Sequence, residues 1–167
     1  MKKPRIDEQA EVADGAVVLG DVTIEKDVSI WYNAVIRGDV NSISIGEGTN
    51  IQDLAVLHVD ADASLAIGKN VTIGHGAILH GCTIKDQALI GMGAIVLNGA
   101  VIGKGSMIAA GALVPQNTVV PDGALYMGNP AKFRRMLTEE ELTANLKNAA
   151  NYIKESKDLN KIGRAHV

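Results

Sequence analysis

Three of the four histidines in this chain fall in one short stretch and could share a metal ion. They are His58, His75 and His80, and neutral imidazole is the commonest metal ligand in proteins. Three histidines with an open fourth position suit catalytic Zn2+, and the same donors also accept Fe2+ or Co2+. The sequence therefore predicts a metal centre, provided that the fold brings these side chains together.

The elements that position the histidines follow a six-residue repeat. Large apolar residues recur at this interval, and the residue four positions later is mostly small or β-branched. Six residues suffice for one short strand and one corner, and such units bury their apolar side chains only by stacking. The repeat predicts a solenoid of short parallel strands over about residues 8–130. The large apolar residues are Val12, Val18, Ile24, Ile30, Ile36, Ile45, Ile51, Leu57, Ile67, Ile73, Leu79, Ile84, Ile90, Val96, Ile102, Ile108, Val114 and Val120.

Three breaks interrupt the repeat. Residues 38–42 include a three-residue insertion, and residues 60–64 include a four-residue insertion. We expect both to form loops that bulge from corners, where function is often found. One residue is missing between Leu79 and Ile84, which predicts a tightened corner.

A helix follows the repeat within the same single domain. Thr138 is the expected N-cap, and Glu141 completes a capping box, so the helix is predicted over about residues 139–156. We expect its apolar face to pack on a flank of the solenoid or on a neighbouring subunit. The tail from about Lys157 is polar, and whether its last residues, GRAHV, are native is left open. The predicted apolar face consists of Leu142, Leu146, Ala149 and Ile153.

The repeat sorts the polar residues near the histidines into two groups on adjacent faces. One coil separates successive members of a group, so their strands lie about 4.8 Å apart. One chain cannot easily bring both groups to one point. We therefore predict a threefold assembly in which two histidines of one chain meet the third from a neighbour. The first group is Arg37, His58 and His80, and the second is Gln52, Asp53 and His75.

Composition narrows the classes of partner and compartment. A formal net charge of −3 argues against nucleic acid. No apolar stretch approaches the roughly 18 residues of a membrane span, and the first residues lack the apolar core of a signal peptide. Cys82 is the only cysteine, which fits a reducing compartment. We expect a cytoplasmic protein.

With these motifs in hand, the chain resembles the gamma-class carbonic anhydrase family over about residues 8–155. The resemblance implies a mainly β fold, a left-handed parallel β-helix with a C-terminal α-helix. It also implies a homotrimer with metal sites between subunits, where His58 and His80 come from one chain and His75 from the next. The motifs that carry it are R-G-D at 37–39, Q-D at 52–53, His58, H-G-x-x-x-H at 75–80 and G-M-G at 91–93.

The implied reaction is the reversible hydration of carbon dioxide to bicarbonate, with metal-bound hydroxide as the nucleophile. Gln52 would lie near the metal-bound solvent. Arg37 and Asp53 would pair across the interface, with Asp39 in the same network. For Tyr126, an approach to the site from a neighbouring chain and a packing role are both left open.

The chain departs from the most active family members, which carry an acidic loop whose glutamates export protons. Here Val40 follows Asp39, and the next carboxylates outside the second group are Glu47, Asp60 and Asp62. A low rate or a different substrate is therefore left open. The alternatives are a non-catalytic metal-binding trimer, hydrolysis of another substrate such as a thioester, and acyl transfer from acyl-CoA on a hexapeptide fold.

Overall fold

The computed structural model describes residues 2–160 and stacks short parallel strands on three faces. The first face consists of β2 (Glu11–Val12), β4 (Ser29–Ile30), β6 (Asn50–Ile51), β9 (Thr72–Ile73), β12 (Leu89–Ile90), β15 (Met107–Ile108), β18 (Ala124–Gly128) and β19 (Ala131–Met136). All its strands run parallel except β19, which is antiparallel to β18.

Two long strands turn a corner and so join the other two faces. They are β3 (Val17–Ile24) and β5 (Val35–Ile45). The second face adds β7 (Val56–His58), β10 (Ile78–His80), β13 (Ile95–Val96) and β16 (Leu113–Val114). The third adds β1 (Arg5–Ile6), β8 (Leu65–Ile67), β11 (Thr83–Ile84), β14 (Val101–Ile102) and β17 (Val119–Val120). The predicted parallel β-helix of hexapeptide repeats is confirmed.

The large apolar residues of the repeat form the core, as predicted. From Ile24 to Val120 they point inward and are buried, while the small residues four positions later fill the corners. Corners such as Gly76, at φ +66°, need a left-handed backbone that glycine adopts without strain. Stacking therefore buries what one coil alone could not.

Both insertions in the repeat form as predicted. Residues 38–42 belong to β5, but its pairing with β3 passes from Gly20 opposite Gly38 to Val22 opposite Ile43. Residues 39–42 therefore stand opposite Asp21 alone and bulge at the corner between the second and third faces. Val40 is consequently 58% exposed, and Ile43 takes the inward position. Residues 60–64 do form a turn, in which Asp60 and Ala63 exchange backbone hydrogen bonds.

The shortened repeat explains Cys82. Losing one residue brings Cys82 into the small inward position before Ile84, where it is 1% exposed. Burial raises the pKa of its thiol to about 12. Cys82 is therefore a core residue, and its burial suppresses the reactive thiolate form.

Helix α1 (Glu139–Ser156) begins as predicted and packs on the first face of its own chain, along β4, β6 and β9. The Thr138 hydroxyl accepts from the Glu141 amide at 3.2 Å, and the Glu141 carboxylate accepts from the Thr138 amide at 2.8 Å. Of the predicted apolar face, Ala149 is buried, whereas Leu146 remains 40% exposed. Within residues 2–160 no helix is long and apolar enough to cross a membrane. The GRAHV residues lie outside the described part.

The helix start generates a pH prediction. Hydrogen bonds from Arg135 and from the Thr138 backbone lower the pKa of Glu141 from 4.5 to about 2. Its stabilising contribution is therefore complete above about pH 4.5 and is lost as the pH falls towards 2. We expect Glu141→Gln to unfold at lower denaturant than the parent at pH 7, with the difference vanishing near pH 2.

Fluorescence of Trp31 measures this transition, because Trp31 is the only tryptophan and its ring meets Tyr152 of α1 edge-on at 5.3 Å. Glu140→Gln is the matched control: it removes the same charge from the same turn, whereas the bonds of Arg135 go to Glu141. A difference that persisted at pH 2 would contradict the assignment.

Candidate metal centre

The first predicted group of polar residues is one column on the second face. Parallel pairing sets Arg37 beside His58 and His58 beside His80 in successive coils. The three residues stand at the ends of their strand segments, where the chain turns towards the third face. The stacking of coils therefore makes these three residues neighbours whatever their side chains are.

The imidazole rings of His58 and His80 face each other through one nitrogen each. Nδ1 of His58 lies 3.1 Å from Nε2 of His80, and the ring planes meet at 66°. The His58 side chain is 19% exposed, so the pair is accessible from outside without being fully solvated. The two facing nitrogens define one point of convergence.

The other nitrogen of each ring has an oxygen partner. Nε2 of His58 lies 2.9 Å from Oδ1 of Asp39, and Nδ1 of His80 lies 2.5 Å from Oδ1 of Asn98. The Asn98 amide nitrogen donates to Asp60 at 2.6 Å, so its oxygen is the atom that faces His80. Both outer ring nitrogens therefore carry the proton and donate it outward.

This tautomer assignment leaves two lone pairs pointing at each other. A neutral imidazole with one nitrogen protonated offers only an acceptor at the other nitrogen. Two acceptors at 3.1 Å repel unless a cation lies between them. Two nitrogens bound tetrahedrally to Zn2+ at about 2.0–2.1 Å lie about 3.3 Å apart. The donor set of His58 and His80 thus fits a metal ion.

Asp39 contacts two members of this column, Arg37 and His58. Besides His58, its carboxylate accepts a hydrogen bond from the guanidinium of Arg37. Burial raises the pKa of Asp39, but the bonds from His58 and Arg37 outweigh burial and hold that pKa below its ordinary value. Asp39 is therefore an ionised acceptor that fixes the His58 ring, as carboxylates do behind metal-bound histidines.

The second predicted group gathers at the corner between the first and second faces. Nδ1 of His75 lies 2.8 Å from Oδ2 of Asp53, one coil away. The Gln52 amide oxygen accepts from the His75 backbone at 3.2 Å, and its nitrogen donates to Asn50 at 3.0 Å. Asp53 therefore orients His75 as Asp39 orients His58, and leaves Nε2 of His75 free to bind.

The two groups stay apart within one chain, because they stand at opposite edges of the second face. In residues 2–160, no three His, Cys, Asp or Glu side chains lie close enough to hold a metal. Tyr126 joins neither group: it sits on β18, three strands beyond β9, with its ring edge-on to Phe133. Arg37 pairs with Asp39 in its own chain, and its predicted pairing with Asp53 involves a second chain.

Asn98 is a residue of the candidate site that no sequence motif predicts. The sequence indicates Asp60 only as a carboxylate in a loop. A signal was nevertheless present, since Asn98 lies one coil after Gly81, next to His80. A Cβ atom at Gly81 would come within 2.7 Å of the Asn98 oxygen, so glycine there leaves room for Asn98 to reach the histidine.

The chain is similar to known proteins in sequence and in fold. A model for the bacterial transferase hexapeptide (six repeats) matches residues 81–116. Gamma carbonic anhydrase 2, mitochondrial, of Arabidopsis thaliana is 52% identical over 159 residues, covering 91% of this chain but 57% of that protein. The probable carbonic anhydrase of Methanocaldococcus jannaschii is 53% identical over 154 residues, covering 92% and 97%.

Among solved structures, a hexapeptide transferase family protein from Anaplasma phagocytophilum superposes with a TM-score of 0.89 at 51% identity, covering 92% of this chain and 91% of that one. The chain thus spans little more than half the length of the Arabidopsis relative and nearly all of the archaeal one.

The facing histidines predict the outcome of single substitutions. We expect His58→Ala and His80→Ala each to weaken Zn2+ binding by more than about 100-fold, beyond what loss of an outer partner costs. Competition with a chromogenic chelator measures the affinity. Gln116→Ala, at an exposed corner, is the control and should bind as the parent does. Unchanged metal occupancy in either histidine variant would exclude this pair as ligands.

Proposed function

Because the chain belongs to the gamma-class carbonic anhydrase family, we propose that it hydrates carbon dioxide reversibly to bicarbonate at a metal shared by two subunits. His58 and His80 of one subunit and His75 of the next are the proposed ligands. The observation that carries the proposal is common to all three: each imidazole has one nitrogen bound to a side-chain oxygen, which leaves the other nitrogen for a metal.

An apolar stripe supports the two-subunit site. One row of outward side chains on the second face stacks in register and consists of branched aliphatics, of which Val17 and Ile78 remain about 40% exposed. Apolar area of this kind on one sheet face favours burial against another protein surface. We refer to the apolar stripe as Val17, Val35, Val56, Ile78, Ile95 and Leu113.

A second copy of the chain is the occupant that fits the stripe. The stripe separates the two half-sites, with His58 and His80 along one edge and His75 along the other. Copies packed around a threefold axis bring the His75 edge of one chain to the opposite edge of the next. Leu54 and Met92, both about 60% exposed beside His75, would extend that contact. We propose a homotrimer with one site at each interface.

Residues of the chain orient the three imidazole rings and the reacting oxygen in the proposed site. A divalent metal held by these three imidazoles would lower the pKa of a coordinated water to about 7, which would make hydroxide available at neutral pH. Asp39, Asn98 and Asp53 keep the three rings aimed at one point. Gln52 has used one of its two amide N–H groups on Asn50. Its second N–H is the proposed donor to the reacting oxygen.

The pairing of Arg37 with Asp53 of a neighbouring chain is part of the same proposal. Arg37 binds Asp39 through one guanidinium nitrogen, and its other N–H groups remain for a carboxylate across the interface. Such a pair would tie the edge that carries His58 to the edge that carries His75. Its proposed role is to hold the two half-sites in register.

Zn2+ is the proposed metal, and Fe2+ or Co2+ would fit the same imidazoles. The cytoplasm is the proposed location. A trimer that binds metal without hydrating carbon dioxide would instead favour a thioester or another substrate at this site, or a non-catalytic role.

Subunit complementation tests the shared site. His75→Ala and His80→Ala subunits should each be inactive alone, because every interface lacks one ligand. Co-expressed with different tags and purified as mixed trimers, they should recover activity at interfaces that pair an intact His58–His80 edge with an intact His75 edge. Every mixed trimer has one complete interface of its three, whichever subunit is in excess. Stopped-flow carbon dioxide hydration, with metal content in parallel, measures the recovery.

The control mixes His58→Ala with His80→Ala subunits, which share the same damaged edge and should stay inactive. Activity in that mixture, or none in the first, would refute a site built from two chains. Full metal recovery without hydration would keep the site and reject carbon dioxide as its substrate.

A further inference from the structure

The two insertions in the repeat meet beside the histidine column. Asn41, in the first insertion, donates its amide N–H groups to the backbone oxygens of Asp60 and Ala61, each at 3.0 Å. The Asn41 oxygen accepts from the Ser42 amide at 2.8 Å, which fixes the orientation of its own side chain. The turn at residues 60–64 is therefore clamped to β5.

Clamping the turn sets the position of the Asp60 carboxylate. Its Oδ2 accepts from the Asn98 amide at 2.6 Å, and Asn98 Oδ1 in turn faces Nδ1 of His80. These two contacts fix the Asn98 amide in one orientation, with its nitrogen towards Asp60 and its oxygen towards His80. A reversed amide would set its oxygen against the Asp60 carboxylate and its N–H against the His80 ring N–H.

We propose that Asp60 is a positioning residue for the metal site: it fixes the Asn98 amide, which selects the His80 tautomer with a free Nε2. The inference rests on the proposed metal site and goes beyond it by giving the insertion at residues 60–64 a task. Asp60 acts through Asn98 and does not touch the metal. Partners of this kind typically change metal affinity by about 10–100-fold when removed.

The alternative explanation for any effect of Asp60 is simple attraction between a carboxylate and a cation. The two explanations predict different metal affinities when Asp60 is replaced by Asn or Asn98 by Asp. Asp60→Asn keeps an acceptor oxygen for Asn98, so the positioning role predicts metal affinity near that of the parent. Attraction predicts weaker binding, because a negative charge is lost.

Asn98→Asp separates the explanations further. It sets a second carboxylate against Asp60, and the repulsion should turn the side chain away from His80. Positioning predicts about tenfold weaker binding, whereas attraction predicts tighter binding. The double variant Asp60→Asn with Asn98→Asp restores a donor opposite a carboxylate. Positioning predicts recovery to within about threefold of the parent, as coupling between adjacent residues requires.

Zn2+ affinity by chelator competition and the visible spectrum of the Co2+-loaded protein are the readouts, neither of which depends on turnover. Asp62→Asn, in the same turn with the same charge change, is the matched control and should match the parent. Asn41→Asp, which loses both donors to the turn, should weaken affinity in the same direction as Asn98→Asp.

Parent-like affinity in Asn98→Asp, or no recovery in the double variant, would overturn the positioning role while leaving the metal site intact. If His80→Ala also bound Zn2+ as the parent does, the proposed metal site itself would be refuted. The two failures are therefore distinguishable.

Discussion

The spacing of parallel strands is the constraint on which the rest of this molecule depends. Each coil lies about 4.8 Å above the last, so equivalent residues in successive coils become neighbours whatever their chemistry. His58 and His80 are 22 positions apart in the chain, yet pairing of β7 with β10 makes them adjacent. The core needs this stacking for burial, and the metal centre uses the resulting columns.

Polar partners turn such a column into a directed site. A column alone would allow either ring nitrogen of each histidine to face its neighbour. Asp39 and Asn98 remove that freedom by taking one nitrogen each, and Asp53 does the same for His75. In the proposed trimer, the apolar stripe between the half-sites would couple formation of the centre to association, since the proposed ligands lie at opposite edges of one face.

Much of this could be predicted from sequence because the signals are local or strictly periodic. The repeat gave the faces and the histidine column, and the capping box marked the start of α1 at its observed residue. The path of residues 39–42 could not be predicted, because these residues pair with neither β3 nor β8 and follow no repeat position. The role of Asn98 could not be predicted, because it depends on two tertiary contacts: its amide nitrogen donates to Asp60, and its amide oxygen faces His80.

The hairpin of β18 and β19 has a consequence for growth of the stack. A solenoid ends in an unpaired strand edge, and a second molecule with the same strand polarity could extend it into a filament. Here the chain reverses direction, and β19 ends the first face as an antiparallel edge strand that bears Lys132, Arg134 and Arg135. On this face, a further coil of the same polarity would meet a strand of opposite direction and a row of cations. The hairpin therefore disfavours end-to-end growth along the first face.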